Sequence, residues 1–256
     1  MDKEKIRQQL QAVIGEFIQR YKAEQNLKTE WKQPLLGFAD ANGDYVKSLQ
    51  QRVAPTHYHP QDFLADCTVV ISYFLPFAES VGRSNVGRDV PSQEWIDGYN
   101  ETNAIFPHVN DQLIQCINSM GYEAVSPTNI GRVDKTHIYS NWSQRHFAYA
   151  AGLGTFGLNN MMITDQGTCG RLFSLVTNLP VEPDEPLKEE RCLYKHNGSC
   201  GLCARLCPVQ ALHGDAPFER AKCSDNLARM RQAFGTGACG KCVVGMPCTF
   251  KDPVRR

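Results

Sequence analysis

Cysteine is concentrated in the last quarter of this 256-residue chain. Eight of the 11 cysteines lie between Cys192 and Cys248, and four of these form two Cys-x-x-Cys units. The run Cys200-Gly-Leu-Cys203-Ala-Arg-Leu-Cys207-Pro208 has the spacing with which soft thiolates close around an iron–sulfur cluster. In such runs the cysteine before proline ligates a second cluster. The spacing therefore predicts two 4Fe–4S clusters.

Because Cys207 would ligate a different cluster from Cys200 and Cys203, the eight cysteines divide into two sets of four. The first set is Cys192, Cys200, Cys203 and Cys248. The second set is Cys207, Cys223, Cys239 and Cys242. The usual motif has a further cysteine where this chain has Asn197. Cys192 is taken as its substitute, and Cys169 is the alternative.

Structural zinc is the competing interpretation of these cysteines, because zinc sites also pair Cys-x-x-Cys units. Two zinc ions would use eight thiolates but would not require the run that ends in Cys-Pro, so clusters are favoured. Disulfides are disfavoured, because the N-terminus lacks the apolar core of a signal peptide. No segment approaches the roughly 20 apolar residues that span a membrane. We therefore expect a cytoplasmic protein with reduced cysteines and no membrane partner.

The elements that must position the cysteines form an α/β region before them. Apolar residues at three- and four-residue steps predict a helix over 4–22. The apolar, β-branched run 68–75 predicts a buried strand. A shorter strand is expected over 34–39, a weak helix over 95–106 and a further helix over 111–120. Four acids and three prolines in 180–189 indicate a linker. We interpret residues 1–185 and 186–256 as two domains.

A glycine-rich loop follows a fourth predicted helix, which Ser143 caps and Gly152 ends. Gly152-Leu-Gly-Thr-Phe-Gly157 has the letters of a dinucleotide-binding loop. Here, however, the helix precedes the loop and a strand follows, which reverses the required context. The glycines either stop the helix in a tight turn or let a flat cofactor approach the backbone. Strands over 160–164 and 171–176 are expected to pair as a hairpin.

Three further features have structural interpretations. His57 and His59 lie in a proline-bounded segment, for which a surface loop is favoured over a metal site. Residues 79–92 predict a loop rich in glycine and polar residues. Cys67 and Cys116 are expected to be buried, inert thiols.

The chain has no net charge, because Lys plus Arg and Asp plus Glu are balanced at 27 each. A neutral charge does not favour a nucleic-acid partner.

Taken together, these residues resemble epoxyqueuosine reductases and the related reductive dehalogenases. The resemblance rests on 148–157, the predicted hairpin through Asn178, the double cysteine module, and the likeness of 62–71 to the family's first strand. It implies an α+β fold, in which a nitroreductase-like α/β domain holding cobalamin precedes a bacterial two-cluster ferredoxin-like domain.

The resemblance also implies a function. Electrons would pass from an external donor, such as ferredoxin or flavodoxin, through two 4Fe–4S clusters to cobalamin and reduce a small-molecule substrate. The alternative is an electron-transfer or corrinoid-reducing protein without substrate chemistry of its own. The residues expected at the cobalamin are Arg145, Gly152, Gly154, Thr155, Phe156, Gly157, Asn159 and Asn160.

Two departures from the family pattern shape the remaining expectations. The family's acidic proton donor falls at Ile138, so Tyr139 is the first candidate donor, followed by His137 and Asp134. The sequence stops at Arg256 without the helical repeats that help epoxyqueuosine reductases to bind tRNA. We therefore expect no nucleic-acid partner.

Overall fold

The computed structural model describes residues 1–87, 89–134 and 138–255, without the side chains of 132–134. Its helices are α1 (Lys3–Gln25), α2 (Asp44–Lys47), α3 (Leu49–Arg52), α4 (Glu79–Ser84), α5 (Gln93–Ser119), α6 (Gln144–Ala150), α7 (Leu193–Asn197), α8 (Leu202–Arg205) and α9 (Arg220–Phe234). Its strands are β1 (Leu35–Asp40), β2 (Val69–Pro76), β3 (Ala124–Val125), β4 (Arg132–Asp134), β5 (Tyr139–Ser140), β6 (Gly154–Phe156), β7 (Met162–Thr164) and β8 (Gly170–Thr177). This mixture confirms the predicted α+β class.

A four-stranded antiparallel sheet forms the centre of the fold. Its strand order is β1-β2-β8-β3. All eight residues of β2 are buried, which confirms the strand that the apolar run predicts. The sheet is covered on both faces, so β2 has no polar face to reveal its alternation.

The two faces of the sheet carry different helices. Val69, Ile71 and Tyr73 of β2 pack into one core with residues of α1 and α5. Val70 packs into the opposite core with residues of α6. Successive side chains of a strand point to opposite faces, so the sheet is the middle layer of three. The apolar stripe of α1 is buried as its periodicity predicts.

Several predicted element boundaries were wrong. The two helices expected over 95–106 and 111–120 are one helix, α5, which contains Pro107. The loop expected over 79–92 includes the helix α4. The expected hairpin does not form. Instead β7 pairs with β6, whereas β8 pairs with β2 and β3. Proximity in sequence suggested the hairpin, but β8 completes the central sheet.

The predicted linker lies against the first part of the chain. Asp184 accepts a hydrogen bond from the Phe38 backbone N–H at 2.9 Å. Its carboxylate also pairs with Arg7 at 2.8 Å and Lys3 at 3.1 Å. These contacts fasten the segment that leads to the cysteines onto β1 and α1.

The cysteine-rich segment consists of α7, α8, α9, a 3₁₀ helix over Lys241–Val243 and connecting turns. Its division from residues 1–185 as a separate domain remains a prediction. No helix in the described ranges is both long and apolar enough to cross a membrane.

Candidate functional site

The first set of thiols gathers around the short helices α7 and α8. Cys192 precedes α7, Cys203 lies within α8, and Cys248 arrives from the end of the chain. Burial raises the pKa of Cys203 to about 11 and that of Cys248 to about 12, and neighbouring thiols of the same set add to both shifts. All four thiols of the first set, together with Gly157, border one cavity.

The second set gathers around α9. Burial raises the pKa of the Cys242 thiol far above its usual value, and nearby thiols raise it further. These neighbours are Cys239, Cys223, Cys203 and Cys207. Cys203 belongs to the first set, so Cys242 lies where the two sets approach each other.

Nitrogen donors contact two sulfurs of the second set. The Ala211 backbone N–H donates to Cys207 Sγ at 3.3 Å, and Asn226 Nδ2 donates to Cys239 Sγ at 3.4 Å. Hydrogen bonds of this kind stabilise negative charge on sulfur and tune cluster potentials. They therefore suit thiolates that hold a metal cluster.

The donor atoms fit iron–sulfur clusters in chemistry. Each set consists entirely of thiols, the ligands that these clusters use. Within the described ranges, no three His, Cys, Asp or Glu side chains converge closely enough to hold a single metal ion. The two sets are therefore defined by electrostatic contact, not by coordination distances. Because burial favours the protonated thiols, metal binding would have to release protons.

Cys169, the alternative ligand, lies elsewhere. Its sulfur packs beside Gly82 of α4, in an apolar cluster that includes Phe77 and Trp95. Burial raises its pKa to about 12, and Lys32 opposes this shift. Cys67, with a pKa raised to about 11 by burial, is likewise a buried thiol. These positions favour Cys192 over Cys169 as the fourth member of the first set.

Arg191, which the sequence analysis missed, fastens the first set to the rest of the molecule. Its buried guanidinium pairs with Asp165 at 2.6 Å and with the buried Asp252 at 3.1 Å. Its backbone N–H donates to Thr155 Oγ1 at 2.9 Å. The arginine directly precedes Cys192, but the sequence did not indicate carboxylate partners so far away.

The glycines of the predicted cofactor loop are explained by contacts within the protein. Gly152 has a φ of +67°, and a Cβ there would lie 2.6 Å from the Glu185 carbonyl oxygen. A Cβ on Gly154 would clash with the carbonyl oxygen of Ile163. These close approaches favour the helix stop and tight turn. A cofactor role for the loop stays a prediction.

Arg145 of α6 and the two asparagines that follow the glycine loop connect α6 with the cysteines. Arg145 Nη1 donates to the Asn160 carbonyl oxygen. Asn159 Nδ2 donates to the Cys242 carbonyl oxygen, and its Oδ1 accepts from the Met161 N–H at 3.1 Å. The structure therefore brings Arg145 and the two asparagines together at the second set of thiols.

Half-buried aromatic rings lie beside this loop. The Phe156 ring is 4.8 Å from the His146 ring and 5.9 Å from the Tyr149 ring. Burial, followed by the charge of Arg145, lowers the pKa of His146 to about 4. The imidazole is consequently neutral near pH 7, beside the predicted cofactor loop.

Tyr139, the first candidate proton donor, lies in β5. Its backbone pairs with Asp134 of β4. The Arg220 guanidinium is 5.5 Å from the centre of its ring. Arg220 begins α9, which carries Cys223, so the tyrosine lies close to the helix of the second set. His137 is outside the described residues.

The expectation of a surface loop was wrong for His57. Its side chain is 1% exposed, and Nε2 accepts a hydrogen bond from the Ser143 N–H at 3.0 Å. Nδ1 lies 2.7 Å from the Tyr58 carbonyl oxygen and donates to it. His57 thus satisfies a backbone donor at the start of α6, where the Ser143 side chain forms no capping bond.

Comparison with known proteins confirms the resemblance inferred from the sequence. No protein-family model matches the chain. An epoxyqueuosine reductase of Staphylococcus aureus is 34% identical over 90 residues, which is 35% of this chain and 22% of that protein. The tetrachloroethene reductive dehalogenase of Sulfurospirillum multivorans is 29% identical over 151 residues, which is 54% of this chain and 28% of that protein. The matches thus span about a quarter of these relatives.

Solved structures of the same two kinds of enzyme share the fold. A catabolic reductive dehalogenase in complex with 3-bromo-4-hydroxybenzoic acid matches 86% of this chain and 30% of its own, with a TM-score of 0.59 and 17% identity. An epoxyqueuosine reductase with an epoxyqueuosine-modified tRNA stem loop matches 93% of this chain and 64% of its own, with a TM-score of 0.51 and 19% identity.

The tRNA stem loop bound by that neighbour weakens the expectation of no nucleic-acid partner. The neutral net charge is also a weak argument, because the charge is unevenly distributed. Residues 192–256 contain ten Lys and Arg and four Asp and Glu, a net charge of +6. The whole chain is neutral, so residues 1–191 carry a net charge of −6. A basic cysteine-rich segment is compatible with a polyanionic partner.

Proposed function

We propose that this chain is an iron–sulfur oxidoreductase that passes electrons through two 4Fe–4S clusters to a cobalamin and thereby reduces a small substrate. The observation that carries the proposal is the gathering of eight thiols into two sets that approach each other at Cys242 and Cys203. The reductase names of its relatives support the redox class. The chain would act in the cytoplasm and take electrons from a ferredoxin or flavodoxin.

The first and second sets of thiols would each hold one cluster. When bound, the clusters supply one-electron transfer, and the cobalamin supplies the metal centre at which a substrate is reduced. Cys192 would complete the first set. Arg191 would keep that cysteine in place through its pairs with Asp165 and Asp252.

The predicted cofactor loop would hold the cobalamin between α6 and the cysteines. Arg145 fixes the loop through the Asn160 carbonyl, and Asn159 fixes it to the backbone of Cys242. These contacts keep the loop at a constant distance from the second set. Protein atoms occupy the space beside Gly152 and Gly154. Phe156, Asn159 and Asn160 are therefore the better candidates for contact with a cofactor.

Tyr139 would donate a proton to the reduced substrate. Its ring lies beside the cationic Arg220. The hydroxyl of a tyrosine is a recognised general acid.

An electron-transfer or corrinoid-reducing protein is the second candidate function. Ile138 at the position of the family's acidic donor favours it, because isoleucine cannot donate a proton. In this case, the clusters would fill and become reduced, and any electron acceptor would be another protein.

Metal and corrinoid analysis of the protein purified without oxygen tests the proposal. Two clusters require about eight irons and a matching amount of acid-labile sulfide per chain. Tight binding of cobalamin, followed by its absorbance spectrum, is expected in addition. Eight irons without corrinoid binding would leave simple electron transfer. Zinc in place of iron would contradict the whole scheme.

A further inference from the structure

An exposed apolar patch lies beside the second set of thiols. Val86 and Leu206 are 46% and 43% exposed. Both approach the exposed Gly245. A Cβ at this position would lie 3.4 Å from Val86 Cγ1 and 3.9 Å from Leu206 Cδ1. The patch therefore joins three segments that are distant in sequence.

This patch is next to the residues that would carry electrons. Leu206 directly precedes Cys207, and Gly245 lies between Cys242 and Cys248 in the chain. Electron transfer between proteins weakens steeply with distance, so a donor must dock close to the group that it reduces. A partner seated on this patch would come close to the second set.

Positive charge borders the same set of thiols. Helix α9 contains Cys223 and exposes four cations, whereas Asp225 is its one acidic residue. These cations are Arg220, Lys222, Arg229 and Arg231. Arg205, next to Leu206, is also exposed. The cations account for much of the +6 charge of residues 192–256.

We propose that the apolar patch and the exposed cations of α9 together form the docking surface for an acidic one-electron carrier protein. This inference rests on the proposed function, because it requires a cluster at the second set. In each encounter, one electron would leave the reduced carrier and enter that cluster, without a bond or proton change. Redox encounters use small interfaces, and complementary charge accelerates their formation.

An RNA partner would also be attracted by the cations of α9. It would gain little from Val86 and Leu206, because RNA recognition relies on phosphates, hydroxyls and stacked bases. An exposed apolar patch, with the exposed cation Arg205 directly beside Leu206 in the chain, suits a protein interface. The observations therefore favour a protein.

Stopped-flow reduction by an acidic flavodoxin tests the docking surface. The variant Arg229→Glu with Arg231→Glu reverses two exposed charges that have no proposed role in holding a cofactor. Its second-order rate constant should fall about tenfold or more at low salt, since steering contributes factors of this size. The difference should shrink as salt is added. Lys5→Glu with Arg20→Glu reverses two exposed charges on α1 and should keep the wild-type rate.

Reduction by dithionite separates the docking surface from the proposed function. This small reductant needs no protein interface, so both charge variants should be reduced by it as fast as the wild type. If dithionite reduces no iron–sulfur chromophore in the wild type, the proposed function fails. If it does, but flavodoxin reduces the α9 variant at the wild-type rate, the docking surface is wrong.

Two further measurements complete the test. Loss of binding to a tRNA stem loop at an unchanged flavodoxin rate would assign the cations to RNA and overturn the proposal. Iron content shows whether the α9 variant is intact. If it loses iron, Arg229→Gln with Arg231→Gln provides the same comparison with less disturbance, and an unchanged flavodoxin rate again counts against the surface.

Discussion

The buried Lys241 ammonium donates hydrogen bonds to Asn85, at 2.8 Å from its carbonyl oxygen and 2.9 Å from Oδ1. Asn85 is itself fully buried, and its Nδ2 donates to the Cys239 carbonyl oxygen at 3.1 Å. The turn after α4 is therefore joined to the Cys239-Gly-Lys-Cys242 segment, 156 residues later in the chain. This link holds two members of the second set against the first part of the molecule.

Lys241→Met should lower the free energy of unfolding by about 1–3 kcal/mol, because it removes the donor to the buried Asn85 carbonyl oxygen. Asn85 Oδ1 keeps the Ser92 N–H at 3.1 Å. Denaturant unfolding under oxygen-free conditions measures the loss. Lys222→Met is the control, since this lysine is half exposed and should change stability by less than about 0.5 kcal/mol. Equal effects of both substitutions would contradict the link.

Cys192→Ser and Cys169→Ser form a matched pair for the first set. Removal of a ligand should destabilise one cluster, so Cys192→Ser should lose up to about four irons per chain. Cys169→Ser should keep about eight, because the Cys169 sulfur lies in an apolar cluster beside Gly82. Iron and acid-labile sulfide assays give the result. The opposite pattern would make Cys169 the ligand.

Arg191→Met should be strongly destabilising. It removes the closer cationic partner of the buried Asp252 carboxylate, and breaking a buried pair typically costs about 3–5 kcal/mol. Arg255→Met is the matched control, because the exposed Arg255 approaches the same two carboxylates only at 4.0 Å. Its effect should be within about 0.5 kcal/mol. Thermal or denaturant unfolding compares them, and a mild effect at Arg191 would refute the clamp.

Protonation of His57 should destabilise the fold in mildly acidic solution. Burial lowers its pKa from 6.5 to about 4. Between pH 4 and 6.5 the imidazole is therefore protonated in the unfolded chain and neutral in the folded chain. The resulting stability is present above pH 6.5 and is lost as the pH falls towards 4. His57→Gln cannot be charged and should give a shallower decline in unfolding free energy over this window. His146, with the same lowered pKa, contributes a similar slope in both proteins. Parallel declines would exclude His57 as a cause.

Tyr139→Phe tests the proton donor in the proposed function. The variant lacks the hydroxyl but keeps the ring beside Arg220, so turnover should fall by about 100-fold or more, the usual contribution of a general acid. Reduction of the clusters by dithionite should be unchanged. Unchanged turnover would remove Tyr139 from the mechanism.

Local patterns in the sequence determined much of the fold. The stripe of α1 and the apolar run of β2 were predicted because each reports the burial of its own element. The spacing of the cysteines also predicted the two sets, and their thiols lie in electrostatic contact within the sets and between Cys242 and Cys203. Their ligation of clusters remains a prediction. These features depend on residues that are close together in the chain, so they can be predicted directly from the sequence.

Only the tertiary structure decided the contacts between distant residues. It paired β8 with β2 instead of β7, placed His57 at the start of α6, and gave Arg191 its partner Asp252. It also placed the Ile163 carbonyl group beside Gly154, in space that the sequence left open for a cofactor. A side chain's partners depend on how the layers pack, and residue type and spacing do not contain that information.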